Sequence, residues 1–314
     1  MSETSASRRG RTLVGLVALA FVPIAIAAVP VVPVGLLVGL DVAPAVLVAV
    51  VVGIGTSALL GPFLVDRRIE RLPDADLDDR SNAFIEDRVE TLAADLGIDP
   101  PALTVVRGDA ANVAVTDGYR GGRLVVSTRL LSVPEADRDA ALRHALVRLR
   151  SRDAAVTTAL LSALVVVETL ALLATLLVGR RNDRTESDRR VNRIHGYEPD
   201  RERIPATVYT LAGVLLWLIL LPVWIPAVVG DRLYVAERRR TADAVVAGTG
   251  ASERTGLANA VEFARDAAGA ADWPPLLDRL SLVSMADAET GRVRGTSRHE
   301  TRVRLARLRS KRML

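Results

Sequence analysis

The sequence contains no cysteine. That excludes disulfides, thiolate metal sites and cysteine nucleophiles. Histidine is nearly as scarce: His144, His195 and His299 are the only three, which limits any transition-metal site. Lysine occurs once, at Lys311, so almost all the positive charge is arginine. Basic residues outnumber acidic ones by only 41 to 37, a formal net charge of +4. That balance suits flanks facing anionic lipid better than a nucleic-acid footprint, and no nucleic-acid partner is expected. The length of 314 residues allows one or two modest domains.

Charge is also missing from four long stretches, and these decide the class of the protein. They run over about 12–40, 42–65, 154–179 and 206–230. The third holds one acid, Glu168, and the fourth holds no charge. Each is long enough to cross a hydrocarbon core of about 30 Å as a helix. The alternation of a closed barrel is not visible. The first block follows Arg8, Arg9 and Arg11, as a secretory signal would. The second block follows it so closely that a membrane hairpin is the better reading. Pro23, Pro30 and Pro33 are candidate kink or tilt points in the first helix. Trp224, near the end of the fourth block, is placed to anchor at the interface.

Arginines before the first span favour a cytoplasmic N-terminus, and four spans return the C-terminus to the same side. Asp66-Arg67-Arg68-Ile69-Glu70-Arg71 after the second span fits that orientation. The segment 180–203 conflicts with it. It holds eight arginines and six acids and would face outward, against a rule that counts basic residues. The domains expected are an N-terminal hairpin over 12–65, a cytoplasmic part over 66–153, a second hairpin over 154–230 with its arginine-rich loop at 180–205, and a cytoplasmic helical part over 231–314. Glu168 is costly within lipid unless it is paired or faces a helix interior. It reads as a packed polar contact, as the mark of a span whose register is shifted, or as a proton, ion or substrate contact.

Outside the spans, Ile85, Val89, Leu92, Ala93 and Leu96 recur at helical spacing and predict a helix over Asp79–Leu96, stopped by Gly97. Leu103–Val106 and Leu124–Ser127 read as strands, with a turn over 118–122. Ser132 and Glu135 form a possible capping box for a helix running to about Arg152. Helices are expected over Asp231–Val246, over Leu257–Ala267 and from about Glu300, the last with Val303, Leu305 and Leu308 as its apolar positions. The arginines of that last helix read as a solvated face, or as contacts to headgroups.

Several local stretches carry a resemblance. They are Asn112-Val113-Ala114-Val115, Val126-Ser127-Thr128-Arg129-Leu130-Leu131, His144-Ala145-Leu146-Val147-Arg148 closing on Arg152-Asp153, and Arg239-Arg240-Thr241-Ala242-Asp243. With the order of spans, they resemble the HtpX-like membrane metallopeptidases of peptidase family M48, over roughly residues 12–310. The resemblance implies a mainly α, polytopic membrane protein with about four transmembrane helices and a small α+β zincin-like cytoplasmic domain. It also implies a zinc site built from His-Glu-x-x-His on one helix and a glutamate on a later one. Here His144 stands at the first ligand position, Ala145 at the general base, Arg148 at the second ligand and Arg239 at the third. The family's His-Pro element near the tail is missing, and Arg302-Val303 stands where its following Arg-Ile would be.

A catalytic zinc takes three protein ligands plus water, and a base must accept the water's proton. Alanine accepts no proton, and guanidinium groups repel zinc. The expectation is therefore a catalytically inactive, multi-pass protein of the cell membrane with no cofactor. It would bind membrane or unfolded protein segments, or an active peptidase relative. Zinc enters only under the alternative of an active endopeptidase with a displaced site. A small transporter using Glu168 is the remaining reading. Asp153 is the expected polar partner of His144, and Asp243 is a further candidate.

Overall fold

A computed structural model describes residues 5–75, 77–179, 206–267, 273–284 and 298–310. The arginine-rich segment, His195, Lys311 and Arg312 lie outside the described residues. Among the described residues the chain is mainly helical with one small sheet, and four helices are long and apolar enough to cross a membrane. These mark it as a membrane protein.

The four are α1 (Ser5–Leu37), α2 (Val42–Ile69), α6 (Asp153–Gly179) and α7 (Ala206–Gly230). Helix α1 packs on α2 and α7, and α6 packs on α2 and α7. Helix α1 runs on through Pro23, Pro30 and Pro33. Apolar surface drives no association in lipid, so close backbone approach must do so. Helix α2 supplies it with a buried ridge repeating every four residues: Ala45, Ala49, Gly53, Ser57, Gly61 and Val65. A Cβ on Gly53 would lie 2.5 Å from the carbonyl oxygen of Pro23, and one on Gly61 would lie 2.2 Å from that of Thr158. Between these glycines, the Ser57 hydroxyl donates to the carbonyl of Ala159 at 2.8 Å. The indoles of Trp217 and Trp224 meet edge to face at 5.6 Å, and both pack against the cluster around Leu19, Leu164 and Tyr234.

Outside the spans come α3 (Asp79–Leu96), β1 (Ala102–Val106), β2 (Val113–Gly118), β3 (Gly121–Ser127), α4 (Thr128–Leu131) and α5 (Glu135–Arg150). After α7 a π-helical turn at Asp231–Val235 leads into α8 (Ala236–Thr249), followed by α9 (Ala251–Asp266) and α10 (Arg298–Arg309). Helix α3 has the expected bounds. Its five expected apolar residues are all buried, and Gly97 caps it at φ 66°.

The sheet order is β1-β3-β2, with β1 parallel and β2 antiparallel to β3. Strand β2 is an addition to the sequence reading. Val113–Thr116 is buried throughout, so the polar alternation that betrays a half-buried strand is absent. The expected capping box does not form. Helix α5 starts after Pro134, and the Ser132 hydroxyl instead donates to the carbonyl of Arg129, closing the short α4. Glu135 and Asp137 supply the favourable charge in the first turn of α5. Helix α9 begins at Ala251, six residues before the expected start.

Helix α5 forms the centre of the domain and packs against α3, α8, α9 and β2. The main core gathers Leu92, Val113, Leu124, Leu142, Leu146, Val246, Leu257 and Leu305. A last segment crosses this core. A 3-10 turn, Pro275–Leu280, leads into residues 281–284, and Ser281 bridges Ala114 of β2 in antiparallel sense. This strap occupies the edge of β2 that β3 leaves open.

Candidate functional site

Helices α5 and α8 lie side by side and bring together residues almost a hundred positions apart in sequence. His144 and Arg148 sit one turn apart on α5, and Arg239 and Asp243 sit one turn apart on α8. All four are buried. The sequence reading grouped His144, Ala145, Arg148 and Arg239 and named Asp243 only as a further candidate; here Asp243 lies against His144, and Arg148 and Arg239 both reach residues 278–281. Arg148 and Arg304 are among the charges that bear on Arg239.

His144 does not pair with Asp153. Its Nε2 lies 3.2 Å from Oδ1 of Asp243, while Asp153 accepts from Nε of Arg148 at 2.8 Å. The reason is steric order along the chain. Asp153 opens α6 just past the end of α5, within reach of Arg148, whereas Asp243 faces α5 from α8.

Arg304 of α10 completes the group, and the sequence reading missed it. Its Nε and Nη2 grip both oxygens of Asp243 at 2.8 and 2.7 Å. Such two-point guanidinium–carboxylate pairing is among the stronger polar contacts. The arginine run in α10 therefore is not a wholly solvated face, because Arg304 turns inward. Leu305 and Leu308 are buried as expected, but Val303 is 38% exposed.

The imidazole stands between opposing influences. Asp243 favours its charged form. Burial opposes that form more strongly, Arg304 and Arg148 add to the opposition, and the result holds His144 down to about 4. A neutral ring then donates from Nε2 to Asp243. That nitrogen cannot also accept from Nη2 of Arg304, 3.4 Å away. An unfolded histidine titrates near 6.5. Between the two values the unfolded chain takes up a proton that the folded chain refuses. Stability is therefore expected to fall as pH drops from about 6.5 towards 4, with this group contributing a slope approaching ~1.4 kcal/mol per pH unit. Thermal midpoints of wild type and His144→Gln in detergent, compared from pH 4 to 7, check this. Parallel curves would show that His144 does not carry the dependence.

The remaining arginines hold the strap. Arg148 donates from Nη2 to the carbonyl of Arg279 at 3.0 Å and from Nη1 to that of Ser281 at 3.5 Å. Arg239 donates to the carbonyl of Asp278 at 2.5 Å and contacts the Ser284 hydroxyl at 3.3 Å. Arg304 reaches the carbonyl of Leu282 at 2.6 Å. A cavity of about 190 Å³ lies alongside, walled by Arg239, Arg240, Asp243, Leu282, Arg304 and Arg307 among others.

These residues do not fit zinc. Among the described residues no three His, Asp or Glu side chains converge as a ligand set. Ala145, 3% exposed, is buried in the core and offers no base. Arginine has only donors.

Glu168 is a packed ionic contact rather than an isolated acid. Its carboxylate meets Nη2 of Arg279 at 2.5 Å, and Nε of the same guanidinium meets Asp231 at 2.6 Å. Both carboxylates hold the Arg279 guanidinium protonated, raising it further above its usual range against the effect of burial. Neither Arg279 nor Asp231 was legible as its partner. The strap has no periodicity that would place it against α6.

Searches against protein-family models, curated proteins and solved structures gave no match to this chain.

Proposed function

We propose that the chain is a catalytically inactive, HtpX-like membrane protein. Its domain faces the cytoplasm, as do both termini, and it binds membrane or unfolded protein segments or a partner peptidase. One observation carries the reading. The positions that the resemblance assigns to the second and third zinc ligands hold guanidinium groups, and each is engaged with backbone carbonyls of the chain's own strap. A cleft that grips main-chain carbonyls is chemically a protein-binding cleft, and without a metal or a base it does not hydrolyse what it holds.

The test uses the full chain purified in detergent with zinc supplied. The expected outcome is far less than one zinc per chain, and no cleavage of an unfolded substrate such as casein that depends on His144. One zinc per chain, lost together with proteolysis in His144→Ala, would overturn the reading in favour of an atypical endopeptidase.

A further inference from the structure

The strap lies between β2 and the guanidinium groups of Arg148, Arg239 and Arg304. Ser281 forms one isolated antiparallel bridge to Ala114 at the open edge of β2, and Leu282 and Val283 bend past that edge. The Leu282 amide donates to the carbonyl of Val113 at 2.8 Å. The Val283 amide donates to Oδ1 of Asn112 at 3.2 Å, and Nδ2 of Asn112 donates to the carbonyl of Val283 at 2.7 Å. On the other side, three guanidinium groups hold the carbonyls of Asp278, Arg279, Ser281 and Leu282. Leu277, Leu280 and Leu282 are buried to within 1% exposure, and the Asp278 charge bears on Arg239. These seven hydrogen bonds use the strap's main-chain atoms, so they would serve another sequence of similar shape, while the Arg279, Ser281 and Ser284 side chains add contacts of their own. Strand addition to an open sheet edge is a general mode of peptide recognition.

The strap is also tied at a second place. Its Arg279 side chain points away from the cleft to Glu168 on α6 and Asp231 at the end of α7. This joins the strap to both helices of the second membrane hairpin. A shift between α6 and α7 would separate the two carboxylates and loosen the strap at its centre.

We infer that the cleft between β2 and the His144–Asp243–Arg304 group is a binding site for a short, leucine-rich protein segment that turns onto the edge of β2, as residues 278–284 do. In the resting chain residues 278–284 fill it, and the Arg279 contacts with Glu168 and Asp231 latch them in place. This rests on the binding function proposed above and names its ligand class and its control. An incoming segment competes with the strap for the edge of β2 and for the arginines. Breaking the latch favours the incoming segment.

The experiment uses the full chain in lipid nanodiscs. The variant combines Glu168→Gln, Asp231→Asn and Arg279→Gln, so no buried charge is left unpaired. The probe is a fluorescein-labelled peptide with the sequence of residues 273–284. In the variant, the amides of Leu282 and Val283 are expected to exchange with deuterium at least tenfold faster than in wild type. The probe is expected to bind at least tenfold more tightly. A peptide with proline at the Leu282 position lacks the N–H donated to Val113 and is expected not to compete. Unchanged exchange in the variant overturns the latch. Faster exchange without tighter binding overturns the site, as does equal competition by the proline peptide. If the triple variant does not fold, Arg279→Lys carries the same comparisons, because an ammonium cannot present the guanidinium fork to both carboxylates. Cleavage of the probe with bound zinc would instead sink the non-catalytic reading, a result separate from whether the probe binds.

Discussion

Gly61→Val is expected to leave little folded protein in the membrane, while Gly55→Val on the same helix is tolerated. The two glycines differ in what a side chain would meet. A Cβ at Gly61 would sit 2.2 Å from the carbonyl oxygen of Thr158 and 2.7 Å from that of Ala159. Both are backbone atoms of α6 and cannot rotate away. At Gly55 there is nothing within 4 Å. Overpacking a tight interface costs about 1–3 kcal/mol, and at Gly61 whole helices must part, so a cost of at least ~3 kcal/mol is expected. Separation would also withdraw the Ser57 contacts with Ala159 and Ser162. Yield from membranes and the thermal midpoint in detergent read the difference. Equal midpoints for the two variants would mean that α2 and α6 do not meet along this ridge.

Asp243→Ala is expected to be the most damaging change outside helices α1, α2, α6 and α7. It leaves the Arg304 guanidinium, 12% exposed, without its carboxylate, and it removes the acceptor for His144. Removing one member of a buried ion pair costs about 3–5 kcal/mol. Arg304 also holds the carbonyl of Leu282, so its displacement should loosen the strap. The double variant Asp243→Leu with Arg304→Met removes both charges together and is expected to recover much of the lost stability. Denaturant midpoints with deuterium exchange at Leu282 separate these effects. If the double variant is as damaged as the sum of the two single changes, the pair is not coupled as described.

The parts of this structure that were legible in the sequence are those governed by local pattern. The spans announced themselves by length and lack of charge. Helix α3 did so through a clean apolar stripe and a terminal glycine. Local pattern failed wherever a residue answers to something distant. Val113–Val115 is apolar on both faces because β2 is covered on both, so the run looks like neither a helix nor an alternating strand. His144 pairs with a carboxylate on another helix rather than with the acid nine positions on. Glu168 is neutralised by a residue 111 positions away. Arg304 sits among arginines of the same helix, and composition does not say which of them turns inward. The resemblance grouped His144, Arg148 and Arg239 but named Asp243 only as a further candidate, and the carboxylate that meets His144 was not legible from spacing.

The wide separation of these partners has a consequence for biosynthesis. His144 leaves the ribosome 160 residues before Arg304. At ~5–20 residues per second, that is a delay of about ten to thirty seconds. Until Ala236 and the residues after it are made, α5 has no α8, α9 or α10 to cover it, and α6 and α7 are synthesised in the meantime. The first half of the domain therefore carries its apolar surface uncovered until those helices are made, and transiently exposed apolar surface of that kind favours aggregation.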